Sequence, residues 1–367
     1  MRNYKIDILR GVSILLVLIH HFNIPYKLHD TFLGIPIAGE SLSTLIARNG
    51  NYGVTIFFVI SGFLITQHTL QRSGSLAQIN LKDFYIHRIA RIMPCLVLLV
   101  LMVTILGALG LRPFMNQAPN GVDVPYAVTV LSAFSFWMNI LIIEYGWVNY
   151  ALGVLWSLSV EEVFYLAFPI LCLVLGRGKG FIVFLLLIIA YAPYFRVLHF
   201  AEESGAYLYH YFSSFDGIAI GCLTALIAQN MHEKIQIPKL VIPVVSILMI
   251  ALYLYAPIKD VSIWGISVFV VLSAILIFCF AQNPQTESAS IFSKGMLWIG
   301  QRSYEMYLFH LIILGLFKVF YLPKETLPIE KLMLLPIYFI GVFILSWVIE
   351  KYYSTPLNMI IRKRYLD

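Results

Sequence analysis

Residues 6–26 read IDILRGVSILLVLIHHFNIPY and are long and apolar enough to cross a bilayer as one helix. The stretch nevertheless carries four ionisable side chains, which are Asp7, Arg10, His20 and His21. Such groups are costly inside a membrane span, so they indicate a functional site. At about 100° and 1.5 Å per residue, Arg10 and His21 share one helical face and are separated by about 16 Å. His20 points about 100° away from His21, so we expect His21 rather than His20 on this face.

The composition of the whole chain agrees with a membrane protein. Of the 367 residues, 60% are hydrophobic and 12% are charged, which predicts a polytopic helical membrane protein and excludes a soluble one. We assign the formal net charge of +6 to cytoplasmic loops rather than to nucleic-acid binding. The cysteines are widely spaced in apolar stretches, so we expect buried thiols, no disulfide framework and no metal site. They are Cys95, Cys172, Cys222 and Cys279.

The predicted fold is all-α, with about ten transmembrane helices in a single domain of residues 1–367. An eleventh apolar stretch, residues 127–143, is ambiguous, and we expect it to be interfacial or re-entrant. The predicted spans begin near residues 6, 52, 92, 153, 180, 212, 239, 262, 295 and 331.

The distribution of basic residues sets the predicted orientation. Arg72, Lys82, Arg88 and Arg91 crowd the second loop, which places that loop and the N-terminus in the cytoplasm. If residues 127–143 do not cross, the later basic loops and the basic C-terminal tail also fall on the cytoplasmic side. If they do cross, every later basic loop faces outward. We therefore predict ten spans with both termini cytoplasmic.

This orientation brings several polar side chains to a similar depth in the outer half of the membrane. His21 lies there on the first span, and Glu161 lies there on the span that contains WSLSVEEVFY. Ser157 and Tyr165 are four residues either side of Glu161 and share its helical face. Because imidazoles and carboxylates are the usual proton carriers of enzymes, these positions are candidates for acid–base chemistry.

The span that begins with GQRSYEMYLFH adds a second group of candidates. Ser303, Tyr307 and His310 lie on one side of that helix at steps of four and three, with Tyr304 beside them. This span runs outward in the predicted orientation, which brings His310 to a depth similar to that of His21.

A different chemistry is indicated at the cytoplasmic level. Arg10, Arg88 and Arg91 gather there, and the last two are three residues apart on one helical face. Guanidinium groups suit bidentate binding of phosphate, so a phosphate-bearing ligand is expected from the cytoplasm. Ser61 adds a hydroxyl, and Gly62 beside it would allow a helix or a ligand to approach closely.

The chain resembles the acyltransferase-3 family of membrane O-acyltransferases in five blocks, which span most of the sequence in the order of that family. The blocks are Asp7-x-Leu9-Arg10-Gly11 followed by His21-Phe22; Gly53-x-x-x-Phe57-Phe58-x-x-Ser61-Gly62-Phe63; Phe84-Tyr85-x-x-Arg88-x-x-Arg91-x-x-Pro94; Trp156-Ser157-Leu158-Ser159-x-Glu161-Glu162-x-Phe164-Tyr165; and Gly300-x-x-Ser303-Tyr304-x-x-Tyr307-Leu308-x-His310.

The resemblance implies transfer of an acyl group, usually acetyl from acetyl-CoA, to a hydroxyl of a cell-envelope glycan or lipid-linked saccharide in the bacterial cytoplasmic (inner) membrane. Glu305 departs from the small polar residue that relatives usually carry. Glu350-Lys351 is not followed at once by proline, since Pro356 comes later. Many relatives carry a C-terminal esterase-like domain of the SGNH type. We expect that domain to be absent, since the sequence ends soon after the last span.

The mechanism that we expect from these residues has a donor part and a transfer part. The phosphates of CoA would bind Arg88, Arg91 and Arg10, with Ser61 as a further contact. His21 would then deprotonate the acceptor hydroxyl or carry the acyl group, and Glu161 would orient its ring. The candidates to stabilise the thioester oxyanion or to position the acceptor are Tyr304, Ser303 and His310.

Two other functions fit buried polar residues in a membrane protein. A transporter or flippase of a lipid-linked saccharide would need them equally, although such proteins often show inverted repeats that we do not find in this sequence. In a non-catalytic export partner, the same side chains would only hold helices together.

Overall fold

The computed structural model describes residues 3–37, 39–231, 237–283 and 290–366, and these residues are almost entirely helical. The helices are α1 Tyr4–Asn23, α2 Leu42–Ala47, α3 Asn51–Ser73, α4 Leu81–Ala108, α5 Tyr126–Phe134, α6 Met138–Tyr145, α7 Leu155–Leu175, α8 Gly180–Leu198, α9 Ala206–Tyr209, α10 Tyr211–Asn230, α11 Val241–Tyr255, α12 Ser262–Gln282, α13 Ile291–Gln301, α14 Ser303–Phe320, α15 Pro328–Ile349 and α16 Thr355–Leu366. A two-stranded antiparallel hairpin pairs β1 Pro36–Ile37 with β2 Glu40–Ser41.

Nine helical segments within the described residues are long and apolar enough to cross a membrane, and α11 is a shorter apolar helix of 15 residues. The prediction of an all-α polytopic bundle of about ten helices is therefore confirmed. The nine segments are Tyr4–Asn23, Leu42–Ser73, Leu81–Ala108, Leu155–Leu175, Gly180–Leu198, Ala206–Asn230, Ser262–Gln282, Ser303–Phe320 and Pro328–Leu366.

The ambiguous stretch 127–143 forms two short helices, α5 and α6, of 9 and 8 residues. Each rises only about 12–14 Å, which is less than half of a hydrocarbon core of about 30 Å. Phe136, between them, has a φ of 59°, so the chain turns there instead of continuing as one helix. Neither helix can cross the membrane alone, which agrees with the predicted interfacial or re-entrant segment.

The span that was predicted to begin near residue 295 is divided into α13 and α14. Arg302, between them, has φ −106° and ψ 10°, and its guanidinium pairs with Glu350 at 3.3 Å. Near the end of the chain, residues Glu350–Ser354 form one π-helical turn between α15 and α16. Such turns insert an extra residue into a helix and are frequent at functional sites.

The chain divides into two compact units. The first unit comprises Met1–Ser13, Asn51–Leu81 and Val160–Gln301, and the second comprises Ile14–Gly50, Lys82–Ser159 and Arg302–Asp367.

Small residues determine the helix packing in the first unit. A Cβ atom on Gly62 would lie 1.9 Å from the carbonyl oxygen of Ile218, and one on Gly221 would lie 2.1 Å from that of Val59. Helices α3 and α10 therefore cross with their backbones in contact, as small residues allow in membrane bundles. The predicted close approach at Gly62 is thus to another helix.

A second close crossing joins the start of α1 to α13. A Cβ atom on Gly300 would lie 1.7 Å from the carbonyl oxygen of Asp7, and one on Gly11 would lie 2.5 Å from that of Met296. Two of the quoted sequence blocks therefore meet through their glycines.

Candidate functional site

The second unit holds two histidine rings in contact, one from α1 and one from α14. The ring centroids of His21 and His310 are 4.8 Å apart, and the ring planes are inclined by 64°. His310 is completely buried, whereas His21 is partly exposed. Residues that are 289 positions apart in sequence thus form one pair, as the predicted common depth requires.

Hydrogen bonds to the backbone set the tautomer of both rings. Nδ1 of His21 lies 2.9 Å from the carbonyl oxygen of Val17. Nδ1 of His310 lies 2.7 Å from the carbonyl oxygen of Tyr307 and 3.1 Å from that of Met306. Because a carbonyl oxygen only accepts, Nδ1 carries the proton in each neutral ring, and Nε2 is the basic nitrogen.

Neither Nε2 atom has a hydrogen-bond partner among the described residues. Nε2 of His310 is buried and has no hydrogen-bond partner among the described residues, and Nε2 of His21 makes no hydrogen bond with them either. A buried nitrogen without a partner is rare in folded proteins and points to a ligand or a catalytic role. The pair therefore presents two bases.

His20 has a different environment from that of its neighbour. Its Nδ1 lies 2.7 Å from the carbonyl oxygen of Ala47. Gly50 packs against it so closely that a Cβ atom there would lie 2.2 Å from the His20 Cβ. His20 thus packs against a neighbouring segment, while His21 contacts His310.

Tyr307 links the start of α7 to α14 beside the histidine pair. Its hydroxyl donates to the carbonyl oxygen of Val154 at 3.0 Å and accepts from Ser157 Oγ at 2.6 Å. The ring centroids of Tyr307 and His310 are 5.9 Å apart. Ser157, four residues before Glu161 on α7, thus uses its hydroxyl for the bond to Tyr307.

Ser303 and Tyr304 are the first two residues of α14, and His310 lies about two turns later on the same helix. They precede His310 by seven and six residues, so they are about 10 Å from it along the helix axis. The hydroxyl of Tyr304 donates to the carbonyl oxygen of Ile92 at 3.1 Å, and Ser303 Oγ is buried without a partner among the described residues. Their predicted roles at the reacting carbonyl stay predictions.

One of the two arginines of α4, Arg91, lies near this end of α14. The guanidinium carbon of Arg91 is 6.0 Å from the centroid of the Tyr304 ring, and that of Arg88 is 5.9 Å from the Phe84 ring. Arg91 is exposed and Arg88 is partly exposed. Both arginines can therefore reach a ligand, as phosphate binding requires.

Glu305, which has no predicted role, is buried within electrostatic reach of Arg91. Ser354 of the π-helical turn donates to Glu305 Oε1 at 2.8 Å. The only sequence signal was the departure of Glu305 from the family pattern, since a π-helical turn leaves no mark in a hydrophobic pattern.

Glu161 belongs to the first unit and is bonded there by two hydroxyls. Ser61 Oγ and Tyr165 Oη each lie 2.6 Å from Glu161 Oε1, and the two hydroxyls also contact each other. Tyr165, which was predicted to share the helical face of Glu161, is therefore in hydrogen-bond contact with it. Ser61, which was expected to bind the cofactor, here donates to Glu161.

Arg10 also belongs to the first unit. Its guanidinium is 3.8 Å from the carboxylate of Asp7, one helical turn earlier, and both side chains are largely buried. The carboxylate partly offsets the cost of holding this cation in a membrane helix.

Comparison with known proteins identifies the family to which the chain belongs. The family model described as an acyltransferase domain matches residues 3–351. The chain belongs to this family. Because its described residues also hold nine candidate membrane spans, it is an acyltransferase domain of a multi-pass membrane protein.

Three curated relatives of this acyltransferase are about equally similar to it. The chain is 26% identical over 342 residues to a candidate O-acetyltransferase of Staphylococcus aureus (strain COL), covering 87% of this chain and 52% of that protein. It is 26% identical over 334 residues to the peptidoglycan O-acetyltransferase OatA of Listeria monocytogenes, with 85% and 49% covered. It is 27% identical over 329 residues to a candidate peptidoglycan O-acetyltransferase of Bacillus subtilis (strain 168), with 83% and 47% covered. The acyltransferase thus spans about half the length of the curated relatives it matches. No solved structure matches it.

Proposed function

We propose that this acyltransferase moves an acyl group, in the simplest case acetyl, from acetyl-CoA to a hydroxyl of a cell-envelope glycan or lipid-linked saccharide. The observation that carries the proposal is the His21–His310 pair, in which both rings donate from Nδ1 to backbone and leave Nε2 without a partner among the described residues. The family supports acyl transfer. The printed name of the Listeria relative supports an O-acetylated glycan.

The proposed transfer begins with a neutral imidazole. His21 Nε2 takes the proton of the acceptor hydroxyl while that oxygen attacks the thioester carbonyl carbon. The carbon–sulfur bond then breaks, and the imidazolium returns the proton to the leaving thiolate. The products are the O-acyl ester and free CoA, and the histidine regains its starting state.

The tautomer of His310 excludes one of its predicted roles, which is stabilisation of the thioester oxyanion. A neutral ring with its proton on Nδ1 presents only a lone pair at Nε2, so it can accept a hydrogen bond but cannot donate one to an oxyanion. We therefore assign His310 to holding the acceptor hydroxyl or sharing its proton with His21. The orientation of the imidazole by Glu161 stays a prediction, which Glu161→Gln tests.

The donor is proposed to bind through Arg88 and Arg91, whose guanidinium groups suit the phosphates of CoA. Arg10 is kept as a third candidate. The positive-inside distribution supports an orientation with both termini and the α4 arginines on the cytoplasmic side of a bacterial inner membrane. The family match includes segments of both compact units, which supports one functional domain.

The test compares two adjacent histidines that are changed in the same way. An asparagine amide can replace the Nδ1 donor of a histidine but supplies no base at the Nε2 position. We expect His21→Asn to reduce O-acetylation of envelope glycans at least about 100-fold, and His20→Asn to leave most of it. Mass spectrometry of the isolated glycans measures acetate, and an immunoblot of membranes measures protein.

Three results would contradict the proposal. Acetylation that persists in His21→Asn would show that His21 is not the catalytic base. Equal losses in the two variants would point to packing of α1. Loss of glycan export with acetylation intact would favour a transporter instead.

A further inference from the structure

A cation without a counter-ion lies on an aromatic ring in the second unit. The Nζ atom of Lys318, on α14, is 3.7 Å from the centroid of the Tyr150 ring. Lys318 is only partly exposed, and it makes no ion pair or hydrogen bond with any residue of the described ranges. An aromatic face stabilises a cation but does not neutralise it, so the position next to Lys318 suits an anion.

The surrounding structure fixes Tyr150 in this place. Asn149, one residue earlier, donates to the carbonyl oxygen of Phe114 and to Asn116 Oδ1, each at 3.2 Å. The Phe114 ring packs on α14 at Gly315, where a Cβ atom would lie 2.7 Å from it. Gly315 is one turn before Lys318, so the contact between Lys318 and Tyr150 is built into the fold and not a chance surface encounter.

Two buried hydroxyls beside this contact also lack partners. The Oη atoms of Tyr150 and Tyr338 are buried and have no hydrogen bond within the part of the chain that the structure describes. Burial raises the pKa of the Tyr150 phenol, which therefore stays protonated and able to donate. A buried hydroxyl without a partner costs free energy that a ligand would recover.

This cluster is continuous with the histidine pair. Phe22, which follows His21, packs its ring 5.4 Å from that of Tyr338 and 5.3 Å from that of Tyr26. Lys318 is eight residues after His310, so it lies about 80° around α14 from His310 and about 12 Å further along. That span is close to the length of two sugar units. A disaccharide anchored at Lys318 is therefore long enough to reach the histidine pair.

We propose that Tyr150, Lys318 and Tyr338 form the acceptor subsite, and that the acceptor is an acidic saccharide with a carboxylate or phosphate group. Lys318 pairs with the anionic group, and the two phenols bond to sugar hydroxyls. The inference rests on the proposed function, because it takes the saccharide as the group that receives the acyl chain at His21.

An interfacial lysine that merely reaches toward lipid headgroups explains less of this arrangement. Such a residue needs neither an aromatic ring fixed beneath it nor two unpartnered phenols beside it. Lys324 offers the matched comparison, because it is an exposed lysine only six residues later in the chain. It has no aromatic contact and no ion pair among the described residues.

The experiment measures saccharide binding without any acyl donor. The purified full chain in detergent is titrated with tetragalacturonic acid and its methyl ester, and with maltotetraose phosphate and maltotetraose. We expect the wild type to bind at least one acidic saccharide about tenfold more tightly than its neutral match. Lys318→Met should remove this preference, whereas Lys318→Arg and Lys324→Met should keep it.

A preference for only the carboxylate or only the phosphate supports the proposal and identifies the anionic group. Equal affinity for acidic and neutral saccharides in the wild type would overturn it, as would a preference that survives Lys318→Met. If Lys318→Met does not fold, Tyr150→Phe provides the second test, because it keeps the ring and should weaken binding of every saccharide severalfold.

Failure of the proposed function would look different. His21→Asn should keep the preference for the acidic over the neutral saccharide, because Lys318 is unchanged. If that variant also keeps its acetylation activity, the catalytic proposal fails while the binding result stands.

Discussion

Two buried polar clusters differ in how completely their hydrogen-bonding groups are used. In the first unit, the terminal nitrogens of Arg196 bond to the carboxylate of Asp216 at 2.8 Å, to Ser267 at 2.6 Å and to the carbonyl oxygen of Ser213 at 2.5 Å. In the second unit, His21 and His310 use Nδ1 for backbone contacts and leave Nε2 without a partner among the described residues.

The difference separates a structural role from a chemical one. The Arg196 cluster is closed in its charges, because the guanidinium and the carboxylate neutralise each other and both terminal nitrogens are directed at protein acceptors, although Nε of Arg196 has no partner among the described residues. A closed cluster of this kind holds helices in place. The histidine pair leaves its Nε2 atoms without protein partners among the described residues, which is what the proposed catalytic role requires. Variants of the two clusters should therefore fail in different measurements.

The largest expected effect is on activity at the His21–His310 pair, which we call the open cluster because its Nε2 atoms have no partner among the described residues. His310→Asn keeps a donor for the backbone carbonyls but removes Nε2, so we expect transfer to fall about 100-fold or more. Release of free CoA, followed with a thiol reagent, measures the rate in purified protein. The thermal unfolding midpoint should stay within a few degrees of the wild type. Normal turnover in this variant would show that the buried nitrogen takes no part in the reaction.

The next effect is on stability at the closed cluster. Asp216→Asn leaves Arg196 buried without a neutralising charge, which should cost about 3–5 kcal/mol in the free energy of unfolding. Arg196→Met should cost a similar amount. The double variant should be no less stable than either single one, because neither charge is then unpaired. Denaturation in detergent measures all three. Loss of activity at unchanged stability would instead assign this ion pair to the chemistry.

A smaller effect is expected at the donor end of the second unit. Arg88→Gln or Arg91→Gln should raise the KM for acetyl-CoA about tenfold and change kcat little, since a charge-assisted bond to phosphate is lost. The KM for acetyl-dephospho-CoA should rise less if the arginine binds the 3′-phosphate. Arg72→Gln, which removes a charge from the same predicted cytoplasmic loop, serves as the control. An equal change in all three variants would indicate a general electrostatic effect.

Local sequence rules predicted the helices and the contacts within them. Apolar length placed the spans, helical periodicity separated His21 from His20, and a spacing of four joined Glu161 to Tyr165. Each of these features is determined by the sequence of a single helix. Residues 127–143 could also be separated from the true spans, because the distribution of basic residues is counted along the sequence.

Contacts between distant segments could not be predicted. Ring contact between His21 and His310 depends on how α1 and α14 pack, and the bond of Ser157 to Tyr307 depends on how α7 begins beside α14. Arg196 drew no attention in the sequence, because its partner Asp216 is on another helix. The break at Arg302 was missed because its partner Glu350 is 48 residues away.

The smallest expected effect concerns Tyr307, whose hydroxyl is satisfied although its ring lies beside the open cluster. Tyr307→Phe keeps the ring but removes the bonds to Ser157 and Val154, so we expect a loss of about 1–2 kcal/mol in stability. Activity should fall only severalfold, because no proton passes through a hydroxyl that is held by two protein groups. Ser157→Ala should cost less, and the double variant should cost less than the sum of the two single variants, since they share one bond.

The activity of Tyr307→Phe is the result that decides between a structural and a catalytic hydroxyl. A fall as large as that of His310→Asn would mean that Tyr307 exchanges its bond to Ser157 for one to the substrate. The contrast between closed and open clusters would then fail at this residue. Retained activity with a lower unfolding midpoint would extend the contrast to Tyr307 and His310, whose ring centroids are only 5.9 Å apart. Whether a side chain has all its hydrogen bonds within the protein would then distinguish the roles of these two residues better than their proximity does.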